Sequence, residues 1–89
     1  MTTAEYRKIK ERYISLAEKK EEKEKEGKGL TEREDAMYNY LDRVITYVDL
    51  RKTAIECGNK NPDDNFMVKD AKERMMKAME KLEELAEIV

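Results

Sequence analysis

From Val68 to Val89, apolar side chains recur at alternating steps of three and four: Val68, Ala71, Met75, Ala78, Leu82, Leu85 and Val89. Only an α-helix gathers such positions onto one face. The seam runs unbroken to the last residue, and a heptad-like seam must be covered by another helix. This feature commits the C-terminal third of the chain to a long helix with a helical neighbour. Its start is marked as well. Asn61 offers a capping amide, Pro62 suits a first turn, and Asp63 and Asp64 lie near the positive end of the helix dipole. The spacing predicts a helix over 61–89, with Met67, Met76, Met79 and Ala86 flanking the seam.

The neighbour lies upstream. Thr31 and Glu34 fit the capping box S/T-x-x-E. Met37, Leu41, Val44, Val48 and Ile55 follow as a stripe, which Tyr40, Ile45, Tyr47 and Ala54 widen. A helix is expected over 31–57, ending where Gly58 suits the left-handed position beyond a C-terminus. The stripe is too wide for one neighbour, so this helix should contact more than one. The turn from Asn59 to Asp64 joins the two helices into an antiparallel hairpin.

A second capping box, Thr2 with Glu5, opens helix one over 2–17, where Tyr6, Ile9, Tyr13 and Leu16 share a face. From Glu18 to Lys28 no apolar residue except glycine occurs. Residues 18–30 are therefore expected to be a charged helix end and linker, held only by pairs such as Glu21 with Lys25. The fold class is all-α: a single domain made of a long antiparallel hairpin and a shorter N-terminal helix. Of 89 residues only fifteen are Val, Ile or Leu, and none is tryptophan. A core of this kind is marginal in so short a chain. Homo-oligomerisation is expected to complete it.

Composition also narrows the functions. Net charge is −2, with no general basic surface for DNA or RNA. No apolar run approaches a membrane span and the N-terminus lacks a signal-peptide pattern, so a cytoplasmic setting is expected. There is no histidine, and Ser15 and Cys57 are the lone serine and cysteine. A Ser/His/Asp or Cys/His catalytic site and a zinc site therefore lack their ligands within one chain. Asn61, Asp63 and Asn65 resemble the spaced oxygens of a calcium loop. Phe66, however, stands where such a loop needs glycine, and Lys72 where it needs glutamate. No catalytic group, metal or cofactor is expected.

Binding chemistry is better represented. Tyr6 and Tyr13 share a helical face amid Arg7, Lys8, Lys10 and Arg12. Rings among cations suit a ligand with bases to stack and phosphates to neutralise; the alternative is that both rings pack into the helix-one seam. Arg43 and Arg51 are placed to meet a phosphate or carboxylate across an interface. Tyr38 points away from Tyr40 and Tyr47 and is a contact candidate. The methionines of the last helix serve either as core or as an adaptable partner groove. The candidate ligand-binding residues are Tyr6, Arg7, Lys10, Tyr13 and Arg43.

The order of several short motifs resembles the phage anti-CBASS sponges, small helical hairpins that form symmetric oligomers and sequester cyclic oligonucleotide signals. Arg7-Lys8-Ile9 precedes Tyr13, Leu30-Thr31 precedes Glu34, Met37 and Asn39 follow, and Asp63-Asp64-Asn65-Phe66 opens a last helix carrying Met79. Two positions depart from the family pattern. Gly27 stands at the spacing of the family's stacking tyrosine, and Asp42, with Arg43 beside it, at that of its phosphate-binding lysine. The resemblance implies a viral protein that evades anti-phage defence by holding a cyclic di- or trinucleotide between protomers in the host cytoplasm. On that reading Tyr13 or Tyr6 stacks a base and Arg7, Lys10 or Arg43 neutralises phosphate. The alternative, from residues alone, is a helical protein–protein module: an adaptor, assembly factor or inhibitor of a larger enzyme.

Overall fold

The computed structural model describes residues 2–87, and the side-chain surroundings of residues 2–85. Three helices, α1 (Thr3–Lys25), α2 (Glu32–Glu56) and α3 (Phe66–Glu87), are joined in that order, with a short 3₁₀ turn at Pro62–Asp64 before α3. Among the described residues there is no strand, and the all-α class holds. No described helix is long and apolar enough to cross a membrane. Val89, the last expected member of the seam, lies outside the described residues, as does the side chain of Ala86.

Local chemistry sets the helix ends. Thr2 and Thr31 each accept a hydrogen bond from the backbone N–H three residues on, and the Glu5 and Glu34 carboxylates each accept one from the capping residue's own N–H. Each box satisfies two otherwise orphaned donors. At the other ends, Gly27 and Gly58 take φ of 74° and 84°. That left-handed turn lets Lys28 N–H reach the Lys23 carbonyl at 2.7 Å and Asn59 N–H reach the Ala54 carbonyl at 3.0 Å.

Helix α2 is the centre of the fold. Helices α1 and α3 each pack on α2 and not on each other. Both run antiparallel to it: Tyr6 meets Asp49 while Lys23 meets Glu34, and Tyr47 meets Asp63 while Met37 and Leu82 line one hollow. The buried core is Leu41, Val44 and Val68 with Ala36, Ala54 and Ala71. Three alanines bring backbones close but bury little apolar area. The result is extended, 47 × 25 × 22 Å, with a radius of gyration of 15.0 Å. A compact domain of this length would have about 12 Å.

Two boundaries differ from the sequence expectation. Helix one does not end at Ala17 but continues to Lys25. The charged stretch finds partners that local periodicity does not show. Lys19 and Lys23 both pair with Glu34 of α2, and the Lys20 ammonium lies 5.2 Å over the Tyr38 ring. The start signal at Asn61 also acts differently. Asn61 makes no side-chain cap, and its Pro-Asp-Asp segment forms the 3₁₀ turn. Asn65 caps α3 instead, its side-chain oxygen accepting from Met67 N–H at 2.9 Å.

Candidate functional site

Because α1 and α3 sit on opposite flanks of α2, one face of α2 is left between them. Met37, Tyr40, Val44, Val48 and Ile55 fall on this face, separated by helical steps. Val44 is its floor, 2% exposed, while Ile55 towards one end is 50% exposed. A hollow of about 860 Å³ opens here, walled by Ile9 of α1 and by Lys72 and Met75 of α3. A second, of about 510 Å³, continues over Met37 between Leu16 of α1 and Leu82 of α3. Each hollow draws on all three helices, and the two lie one after the other along this face of α2 as a trough. From Met37 to Ile55 it runs roughly 27 Å at 1.5 Å per residue. The back of α2 carries Asp35, Asn39, Asp42, Thr46 and Thr53 and is polar.

Charge lines both ends of the trough: Arg12, Arg33 and Glu34 stand at the Met37 end. Arg51, Lys52 and Lys72 line the larger hollow together with Glu56 and Asp63. The Asp63 carboxylate accepts from Arg51 Nε at 3.3 Å and from the Tyr47 hydroxyl at 3.2 Å. The Arg51 guanidinium, foremost, holds the Asp63 carboxyl below its ordinary range. Burial, and then the bond to Asp63, raises the Tyr47 hydroxyl. Lys52 and Lys72 are left as the exposed cations of this end.

The residues singled out from the sequence are not gathered here. Tyr13 stacks on Tyr38, ring centroids 4.9 Å apart and planes 14° from parallel. Their hydroxyls meet at 3.2 Å, and this bond with burial pushes the Tyr13 hydroxyl up to about 12. Tyr38, expected to point outward, is thus a packing partner of α1. Tyr6 donates to Asp49 at 2.6 Å, a bond that raises its hydroxyl, and Lys10 covers its ring at 5.0 Å. Tyr6 and Lys10 share a shallow hollow with Val48 and Lys52 of α2, which also line the larger hollow. Arg7 is exposed. Arg43 lies on the opposite flank, 3.7 Å from Asp42, in a hollow with Phe66, Met67 and Arg74. Within one chain, then, Tyr6 and Lys10 come together, and Arg43 is separate from them.

Sequence reasoning did not place Lys52 or Lys72 in a site. The signal was present in their helical positions: Lys52 lies one turn from Val48, and Lys72 one turn from Met75. Among the described residues no three His, Cys, Asp or Glu side chains converge as metal ligands do. Cys57 is free and exposed. No family model, curated protein or solved structure matches the chain.

Proposed function

We propose that this protein is a non-enzymatic helical interaction module whose trough over α2 accepts an amphipathic helix. The observation that carries this reading is the hollow apolar face of α2, half-buried at Met37, Tyr40 and Val48 and open at Ile55, walled on both sides by α1 and α3. The trough has the dimensions of a helix: its length matches about five turns, and its floor repeats at helical spacing. Its apolar middle, with Arg12 and Arg33 at one end and Lys52 and Lys72 at the other, favours a helix with an apolar stripe and acidic ends. The absence of histidine and the solvated setting of the carboxylates agree with a role that turns nothing over.

A photo-crosslinker tests this. Benzoylphenylalanine at position 55, in the trough, should capture a polypeptide through the apolar face of one of its helices. The same group at position 39, on the polar back, should capture none. Equal or absent capture from the two positions contradicts the reading.

A second reading is sequestration of a cyclic di- or trinucleotide, as the anti-CBASS resemblance implies. The observation in its favour is Tyr40 and Tyr47 beside Arg51, Lys52 and Lys72, rings and cations in one hollow of small-ligand size. Native mass spectrometry against a panel of cyclic di- and trinucleotides tests it. A bound mass that disappears in Lys52→Glu supports it, and none across the panel contradicts it.

A further inference from the structure

We propose that the exposed face of α3 beside the trough pairs with the same face of a second copy of this chain, the two α3 helices lying antiparallel.

The argument begins with one stripe of α3. Lys72, Met76, Met79 and Glu83 follow one another at steps of four, three and four, so they share a face. All four are exposed; Met76 and Met79 are 46% and 37% so. The same helix turns Met75 and Leu82 towards the trough. Read from either end in opposite directions, this stripe is its own complement. An antiparallel copy sets Lys72 against Glu83 of the partner subunit, and Met76 against Met79 of the partner subunit. A two-fold axis repeats both contacts, which is the signature of an isologous interface.

The charges beyond the stripe agree. The first half of α3 carries Lys69, Lys72, Arg74 and Lys77 against Asp70 and Glu73. The second half carries Glu80, Glu83 and Glu84 against Lys81. In the antiparallel arrangement the acidic half of one α3 lies along the basic half of the other. A parallel arrangement would set like charges together, at a cost in affinity.

Sedimentation equilibrium of the full chain at low salt, where charge contacts are least screened, is the test. The parent should sediment as a reversible dimer or a multiple of one. Lys72→Glu and Glu83→Lys each place like charges opposite one another twice, and each should weaken association by roughly tenfold or more. The double variant Lys72→Glu/Glu83→Lys restores opposite pairing and should return to near the parent affinity. Both positions are exposed, and unchanged circular dichroism confirms that the variants fold. A parent that is monomeric throughout, single variants that associate like the parent, or a double variant no better than the singles would each overturn the proposal. The crosslinker at position 55 separates this pairing from helix docking. A dimeric parent with no capture there removes helix docking and leaves the α3 pairing standing, and capture there with a monomeric parent does the reverse.

Discussion

The ring of Tyr13 lies flat against that of Tyr38, and their hydroxyls meet at 3.2 Å. This contact sets the rotation of α1 about its own axis. With Tyr13 turned onto α2, Ile9 and Leu16 become the near wall of the trough rather than its lid. The open face of α2 is thus partly a consequence of one aromatic pair.

Tyr13→Ala should destabilise the fold by about 2 kcal/mol, between the value of an aromatic pair and that of a core ring. Tyr13→Phe keeps the stack, loses the hydroxyl bond, and should cost about 0.5–1 kcal/mol. Urea unfolding of Tyr13→Ala, Tyr38→Ala and the double variant should give a coupling of about 1 kcal/mol. A coupling near zero would contradict the pairing.

Alkali should act on the same pair. The Tyr13 hydroxyl is raised to about 12 from an ordinary value of 10.0, first by its bond to Tyr38 and then by burial. A raised value means the folded state holds the proton more tightly. The stabilisation is therefore complete below pH 10 and is lost as the pH rises towards 12. Thermal melts across that window should show a decline that is smaller in Tyr13→Phe.

Acid should act through Glu34. The carboxylate accepts from Lys19 foremost and from the Thr31 backbone, which lowers it from 4.5 to about 2. A lowered value stabilises the fold above pH 4.5, and the benefit is lost as the pH falls towards 2. Circular dichroism between pH 5 and 2, at roughly those bounds, should show α1 loosening from α2. In Glu34→Gln the dependence should be flatter.

Gly58 closes α2 at φ 84°, with open space where a Cβ would stand. Gly58→Ala therefore meets no clash, only the backbone strain of a left-handed residue. It should cost about 1–2 kcal/mol in urea unfolding. A neutral result would mean that the turn relaxes.

Features decided within one turn of chain were legible in the sequence. Both capping boxes and the Gly58 stop rest on neighbouring residues, and the structure has them as read. Features decided by contacts across the fold were not. The length of α1 depends on Lys19, Lys20 and Lys23 meeting Glu34 and Tyr38, and no local pattern shows those partners. Tyr13 read as a ligand-stacking residue because its helix face was visible and its partner ring was not. Asn61 and Asn65 are both good caps, and the turn geometry after Pro62 decides between them. The width of the α2 stripe did signal more than one neighbour; that α1 and α3 leave a trough between them follows only from their placement.

The methionines supply the most direct test of the central claim, that α3 pairs with α3 of a second copy. Met76 and Met79 stand on the proposed contact stripe, while Met67, 61% exposed, lies on the other flank of α3. Brief hydroxyl-radical oxidation of the folded protein, read by mass spectrometry over a concentration series, compares them within one chain. The account predicts that Met76 and Met79 become protected as concentration rises, while Met67 keeps its rate. Oxidation of Met76 and Met79 that stays in constant proportion to Met67 at every concentration would contradict it.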